Sequence, residues 1–276
     1  MRLDAHQHFW KYNAEQYGWI NDDMANLKRD YLPADLKPLL AAEGFDGSIV
    51  VQARQDEEET NWLLQLAEEN EFVKGVVGWV DLCSAEVKEE LERLAQHPKF
   101  VGVRHVLQDE QDDEFMLRRD FKRGIGLLAQ YGLTYDLLVF PRHLPVAARL
   151  VREFPDQPFV LDHIAKPLIA GGLVEPWDRD IRELATFDNV SCKLSGMVTE
   201  AEWKEWESAD FRPYLDVVFE AFGPDRLMIG SDWPVCTLSG DYSATLGIVR
   251  EYIGQLDSSV QEDILGLNCA EIYRVK

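Results

Sequence analysis

The sequence is short of basic residues. Lys and Arg number 28 against 50 Asp and Glu in 276 residues, a formal net charge of −22. Contact with a phosphate backbone needs a basic footprint, and so does attraction to anionic lipid. Nucleic acid and membrane surfaces are therefore poor candidates as partners. No apolar run approaches the length of a membrane span. The opening Met1-Arg2-Leu3-Asp4-Ala5-His6 carries no apolar stretch of signal-peptide type. The four cysteines (Cys83, Cys192, Cys236, Cys269) are far apart, with no Cys-x-x-Cys pair. Reduced thiols and a cytoplasmic protein are the expectation. No Gly-x-Gly-x-x-Gly follows the first apolar run and no Gly-x-x-x-x-Gly-Lys-Ser/Thr loop occurs, which removes the best support for dinucleotide or phosphate-loop binding. No low-complexity linker divides the chain.

What is present is alternation. Eight apolar, β-branched runs read as strands: Arg2–His8, Asp46–Ala53, Gly75–Leu82, Val101–Leu107, Thr134–Phe140, Phe159–Ile164, Val190–Leu194 and Leu227–Ser231. Most lack polar alternation, as suits strands buried on both faces of a parallel sheet. Amphipathic segments lie between them. Ser84–His97, for example, carries Val87, Leu91, Leu94 and Ala95 on one stripe, with Ser84 placed to cap it. Segments 56–70, 113–131 and 210–222 read as helices too, and Gly132 stands where a helix-ending glycine belongs. Eight such units in 276 residues average about 34 residues each, the arithmetic of a single-domain α/β (β/α)8 TIM barrel over residues 1–276. An open doubly wound sheet is the alternative. One segment breaks the rhythm. Phe9 to Leu32 is long and aromatic (Phe9, Trp10, Tyr12, Tyr17, Trp19, Tyr31); a barrel would set it over the mouth at the C-terminal strand ends.

Histidine is scarce, and its placement is uneven. There are six, and His6 and His8 sit two apart at the end of the first strand, where i and i+2 share a face. Two imidazoles so placed can bind one metal ion. His163 ends the sixth run and Asp232 follows the eighth. In a closed barrel the first and eighth strands are neighbours, so these side chains can converge. A set of two or three His with one carboxylate leaves coordination positions open, as in catalytic zinc, and such a metal lowers the pKa of bound water toward about 7.

Three motifs, Asp4-Ala5-His6-Gln7-His8, Leu161-Asp162-His163-Ile164-Ala165-Lys166-Pro167 and Ile229-Gly230-Ser231-Asp232-Trp233-Pro234, resemble the amidohydrolase superfamily. The likeness is nearest to its branch of sugar-lactone and dicarboxylate-lactone hydrolases, the fuconolactonase-like group. It spans almost the whole chain and takes in the aromatic loop and Gly102-Val103-Arg104-His105. The resemblance implies a (β/α)8 barrel with metal ligands at His6, His8, His163 and Asp232. Two-metal members use a Lys or Glu ending strand 4 and a His ending strand 5. Neither is present here, which argues against a bridged two-metal centre. One divalent metal, zinc by its ligand set, is expected. Metal-free catalysis stays open, because some lactonase relatives work without a metal.

The expected reaction is hydrolysis of a small sugar-acid lactone in which Asp232 takes a proton from water and returns it to the leaving alkoxide. Arg104, His105 and Lys166 are the candidates for polarising the carbonyl, and alternation allows only one of Arg104 and His105 to point inward. Gln7, Gln52, Lys166, Trp10 and Trp19 are expected to line the substrate site, and Trp233 to shape its mouth. A non-oxidative decarboxylase is the alternative enzyme, and a non-catalytic metal-binding barrel a third reading. A small-molecule substrate is the expected partner, and a homo-oligomer is compatible with the sequence. The acidity is expected on the outer helices, with a less acidic mouth.

Overall fold

The computed structural model describes residues 1–275. Eight strands lie in chain order in one sheet: β1 (Leu3–Gln7), β2 (Gly47–Val51), β3 (Val73–Gly78), β4 (Phe100–His105), β5 (Thr134–Leu137), β6 (Phe159–Leu161), β7 (Val190–Leu194) and β8 (Leu227–Ile229). Every adjacent pair is parallel. The sheet curls until its ends meet: Asp232 N donates to His6 O at 2.8 Å and His8 N to Trp233 O at 2.7 Å. This is the (β/α)8 barrel that the alternation implied, not an open sheet. The outer layer is α1 (Pro33–Ala42), α2 (Glu57–Glu69), α3 (Val87–Leu94), α4 (Arg119–Leu128), α5 (Leu144–Glu153), α6 (Trp177–Ala185), α7 (Ser208–Phe222) and α8 (Tyr242–Ile253). Two short helices follow, α9 (Ser258–Glu262) and α10 (Asn268–Ile272).

Helix boundaries follow local chemistry. Asp56 caps α2 by accepting from Glu58 N. Ser84 accepts from Glu86 N at 3.1 Å but caps only a turn; α3 begins later, at Val87, and buries Val87, Leu91 and Leu94 as the stripe required. Within α4, Gly124 is needed by packing, since a Cβ there would lie 2.4 Å from Leu82 O. Gly132 has φ +71 and ends the following turn.

Inside the barrel, Leu3, Ala5, Ile49, Val51, Val77, Val160 and Met228 form an apolar floor with Cys269 and Tyr273 from the C-terminal segment. The four cysteines are free thiols. No helix among the described residues is long and apolar enough to cross a membrane.

Strand parity at β1 decides the site. Leu3 and Ala5 face the floor, while the carboxylate of Asp4 accepts from Tyr242 OH on α8. Strict alternation would send His6 and His8 outward with Asp4. The ladder slips here. Asp4 pairs with Ser48 and Gln7 with Val50, so β1 spends three steps where β2 spends two. This β-bulge turns His6 and His8 into the barrel and Gln7 outward to Ser48 Oγ, 3.2 Å away.

Candidate active site

At the C-terminal ends of the strands, a cavity of about 370 Å³ opens above the floor, a normal size for a small-ligand site. His8, Arg104, His163, Lys166 and Asp232 line it, with Trp19 and Arg54 on its wall. Its lining carries three cations (Arg54, Arg104, Lys166) against two carboxylates (Asp109, Asp232), a balance unlike that of the chain as a whole. The cavity lining is less acidic than the chain, as expected, but the acidity is not concentrated on the outer helices: α4 and α5 are both net basic.

Four side chains converge. His6 Nε2 and His8 Nε2 lie 3.1 Å apart. Asp232 Oδ1 is 3.2 Å from His8 Nε2, 3.8 Å from His6 Nε2 and 4.0 Å from His163 Nε2. The far nitrogen of each ring is held. His8 Nδ1–H donates to Val51 O at 2.7 Å, and His163 Nδ1 meets Ser195 Oγ at 2.8 Å. His6 Nδ1 is 3.3 Å from Asp162 Oδ1. Such outer partners fix ring orientation and leave the Nε2 lone pairs of His8 and His163 available to a metal, while that of His6 also faces Arg104 Nη1 at 3.3 Å. Burial pushes His163 down to about 4, and His6 well below its ordinary value, so both imidazoles are neutral at pH 7. Burial alone would raise Asp232, but His163, His8 and His6 hold it below the usual carboxylate range, so it is ionised. His6, His8 and Asp232, buried and closely spaced, form a set that suits a divalent metal, and His163 groups with His6 and Asp162 beside it.

The backbone that aims these groups is unusual. β6 ends at Leu161, earlier than the sequence suggests, because His163, Ile164, Ala165 and Lys166 all adopt positive φ (55, 47, 60 and 51). Left-handed backbone costs roughly 1–2 kcal/mol per residue without glycine. Two bonds secure the turn: Trp177 Nε1–H donates to Ile164 O and Lys166 N–H to His163 O, each at 2.8 Å. Gly196 faces it. Its φ is +62, and a Cβ would fall 2.4 Å from His163 Nδ1.

Beneath the cluster lies a charge network that sequence reasoning found only in part. Lys193 Nζ, fully buried, is 2.6 Å from Asp136 Oδ2, 3.0 Å from Asp162 Oδ1 and 3.2 Å from His6 Nδ1. Arg104 Nη1 donates to Asp162 Oδ2 at 2.9 Å and lies 3.3 Å from His6 Nε2. Tyr273 OH donates to Asp136 Oδ2 at 2.7 Å. Asp136 sits mid-strand in a run of apolar residues, where its inward direction is legible only from the pairing Arg104↔Asp136.

Several residues expected at the substrate site lie elsewhere. His105 points out of the barrel, as alternation with Arg104 demands: it stacks on Phe115 and meets Glu110 Oε1 at 2.7 Å. Gln7 faces Ser48 because of the bulge. Trp10 is buried under the aromatic loop, donating to Arg29 O at 2.9 Å. Gln52 stands behind Arg104 and accepts from its Nη2 at 3.2 Å. Trp233 packs edge-on against Phe9 and Tyr31. Trp19 and Lys166 do line the cavity. Arg54, Gln55, Gln108 and Asp109 line it too and were not anticipated; they sit on loops just past strand ends, where no periodicity marks them.

The family model described as amidohydrolase matches residues 3–275. The chain belongs to the amidohydrolase family. This amidohydrolase is 39% identical to an L-fucono-1,5-lactonase of Burkholderia ambifaria, over 99% of this chain and 96% of that one. A crystal structure of an amidohydrolase from Burkholderia multivorans with bound zinc is 40% identical, covers both chains fully and superposes with a TM-score of 0.95. A dihydroxybenzoic acid decarboxylase is alike in fold alone, at 14% identity and a TM-score of 0.69.

Proposed function

We propose that this amidohydrolase opens a sugar-acid lactone to its free acid, with Asp232 as general base and then general acid. The observation that carries the mechanism is the ionised Asp232 carboxylate at 3.2–4.0 Å from three imidazole nitrogens on the cavity floor. The substrate class is supported by the lactonase relatives at about 40% identity over nearly the full chain. The decarboxylase alternative has fold likeness alone.

His6, His8, His163 and Asp232 would hold the metal, and nitrogen-rich ligation favours Zn2+. When bound, such an ion lowers the pKa of water and polarises a carbonyl. The chain's own groups do the rest. Asp232 takes the proton of the attacking water. Charge develops on the carbonyl oxygen as the tetrahedral centre forms. Arg104, locked by Asp162 and Gln52, presents a fixed guanidinium to that oxygen, and Lys166 is the second cation within the cavity. The ring C–O bond then breaks and Asp232 returns the proton to the departing alkoxide. The anionic product leaves a protein of net charge −22. We take residues 1–276 as a single domain acting in the cytoplasm on a small-molecule substrate.

The test is a panel of aldono-1,4- and 1,5-lactones assayed by acid release, with metal content measured before and after chelation. Turnover of one or more lactones that falls on chelation and returns with zinc is expected. Carbon dioxide release from an aromatic acid, with no lactone opened, would overturn the reading.

A further inference from the structure

Two loops form one wall of the cavity. Gln16, Gly18 and Trp19 come from the aromatic loop, and Ala53 and Arg54 from the loop between β2 and α2. A single side chain ties them from behind. Glu59, in the first turn of α2, is fully buried and takes no part in the chemistry above. Its Oε2 accepts from Ala53 N at 2.8 Å and Arg54 N at 2.9 Å. Its Oε1 accepts from Tyr17 OH at 3.0 Å. The link closes on the far side, where Trp19 Nε1–H donates to Ala53 O at 3.1 Å. Arg54 also pairs with Asp56 at 3.4 Å and lies 5.8 Å over the Tyr17 ring. Burying a carboxylate is unfavourable unless donors satisfy it, and burial pushes Glu59 up to about 7 despite those donors. A carboxylate kept there at that cost must serve the geometry it holds: only an acceptor on both oxygens can take all three donors.

We propose that Glu59 is a positioning residue that sets substrate specificity by locking Trp19 and Arg54 in place as the sugar-reading wall. This rests on the lactonase reading. The indole offers a flat apolar face to the C–H side of a sugar ring, and the guanidinium offers donors to its hydroxyls. Arg54 is already charge-paired with Asp56, and Asp109 lies on the same lining. The wall therefore favours a neutral polyhydroxy lactone over one bearing further carboxylates.

The experiment uses full-length Glu59→Gln and Tyr17→Phe. Kinetics are run on the best aldonolactone and on its analogue lacking one hydroxyl, with calorimetric binding of the matching lactam. Gln keeps one acceptor oxygen and turns an NH2 on the remaining donors. KM and the lactam Kd should rise about tenfold in Glu59→Gln and about threefold in Tyr17→Phe, on the order of the net value of one hydrogen bond. Values of kcat should stay within twofold, and the preference for the hydroxylated substrate should shrink. Unchanged KM and preference in both variants, or a loss confined to kcat, overturns the proposal while leaving the lactonase reading standing. If Glu59→Gln does not fold, Tyr17→Phe alone decides. A wild type that opens no lactone overturns both.

Discussion

Lys193→Met removes the one ammonium that pairs Asp136 at 2.6 Å and Asp162 at 3.0 Å, with all three side chains fully buried. Asp162 keeps Arg104 at 2.9 Å, and Asp136 keeps only neutral partners, Tyr273 OH and Thr134 Oγ1. Asp136 is thus the group left exposed to the full cost of burial. Breaking a buried pair from one side costs about 3–5 kcal/mol. At about 2–4 °C per kcal/mol for a chain of this size, Tm should fall by roughly 6–20 °C. A double-mutant cycle isolates the cause. If the loss comes from an unpaired Asp136 charge, then Asp136→Asn added to Lys193→Met should restore more than about 1 kcal/mol, as groups in contact couple. Thermal and urea unfolding of the wild type, two single variants and the double variant supply the numbers. A single-variant loss under 1 kcal/mol, or strict additivity, would refute the network as described.

The remaining expectations are smaller. Burial holds His163 at about 4 against an ordinary 6.5, so the folded state binds fewer protons between those values. In metal-free protein this stability is intact above pH 6.5 and is lost as pH falls toward 4, about 1.4 kcal/mol per unit and roughly 3 kcal/mol in all. Asp4 and Glu59, raised to about 6 and about 7 by burial, act with the opposite sign, so the quantity to measure is the wild type minus His163→Gln difference from pH 7 to 4.5. A flat difference would contradict the assignment. Gly196→Ala places a Cβ against His163 Nδ1 and should weaken zinc binding about 10–100-fold in chelator competition, with unchanged affinity counting against it.

The barrel was legible because parallel strands buried on both faces are written as continuous apolar runs, and eight of them are hard to close otherwise. The His-x-His spacing correctly placed two imidazoles on one face. It could not say which face. Leu3 and Ala5 argue for the opposite parity, and only the slip between Asp4 and Gln7 reconciles them. His163 was legible as a motif, but its left-handed turn was not, since nothing in Ile164 or Ala165 announces positive φ. Gln7 and Trp10 read as substrate lining, and Trp233 as part of the mouth, because polar and aromatic side chains suit a hydroxylated ring. Adjacency in a strand or loop places neighbours on different faces, and these three pack outward or under the aromatic loop. Arg54 and Glu59 went unread for the converse reason: one sits in a loop without periodicity and the other in the acidic first turn of α2, and the Tyr17 contact that joins them to the aromatic loop forms only in the folded barrel.

The central claim is that Asp232 moves the proton in lactone opening. Its most direct test is the initial rate of acid release from the preferred aldonolactone by wild type and Asp232→Asn, compared at equal measured metal content. The account expects kcat to fall by about 10²–10⁴-fold with the fold intact; an Asp232→Asn enzyme within tenfold of wild type would contradict it.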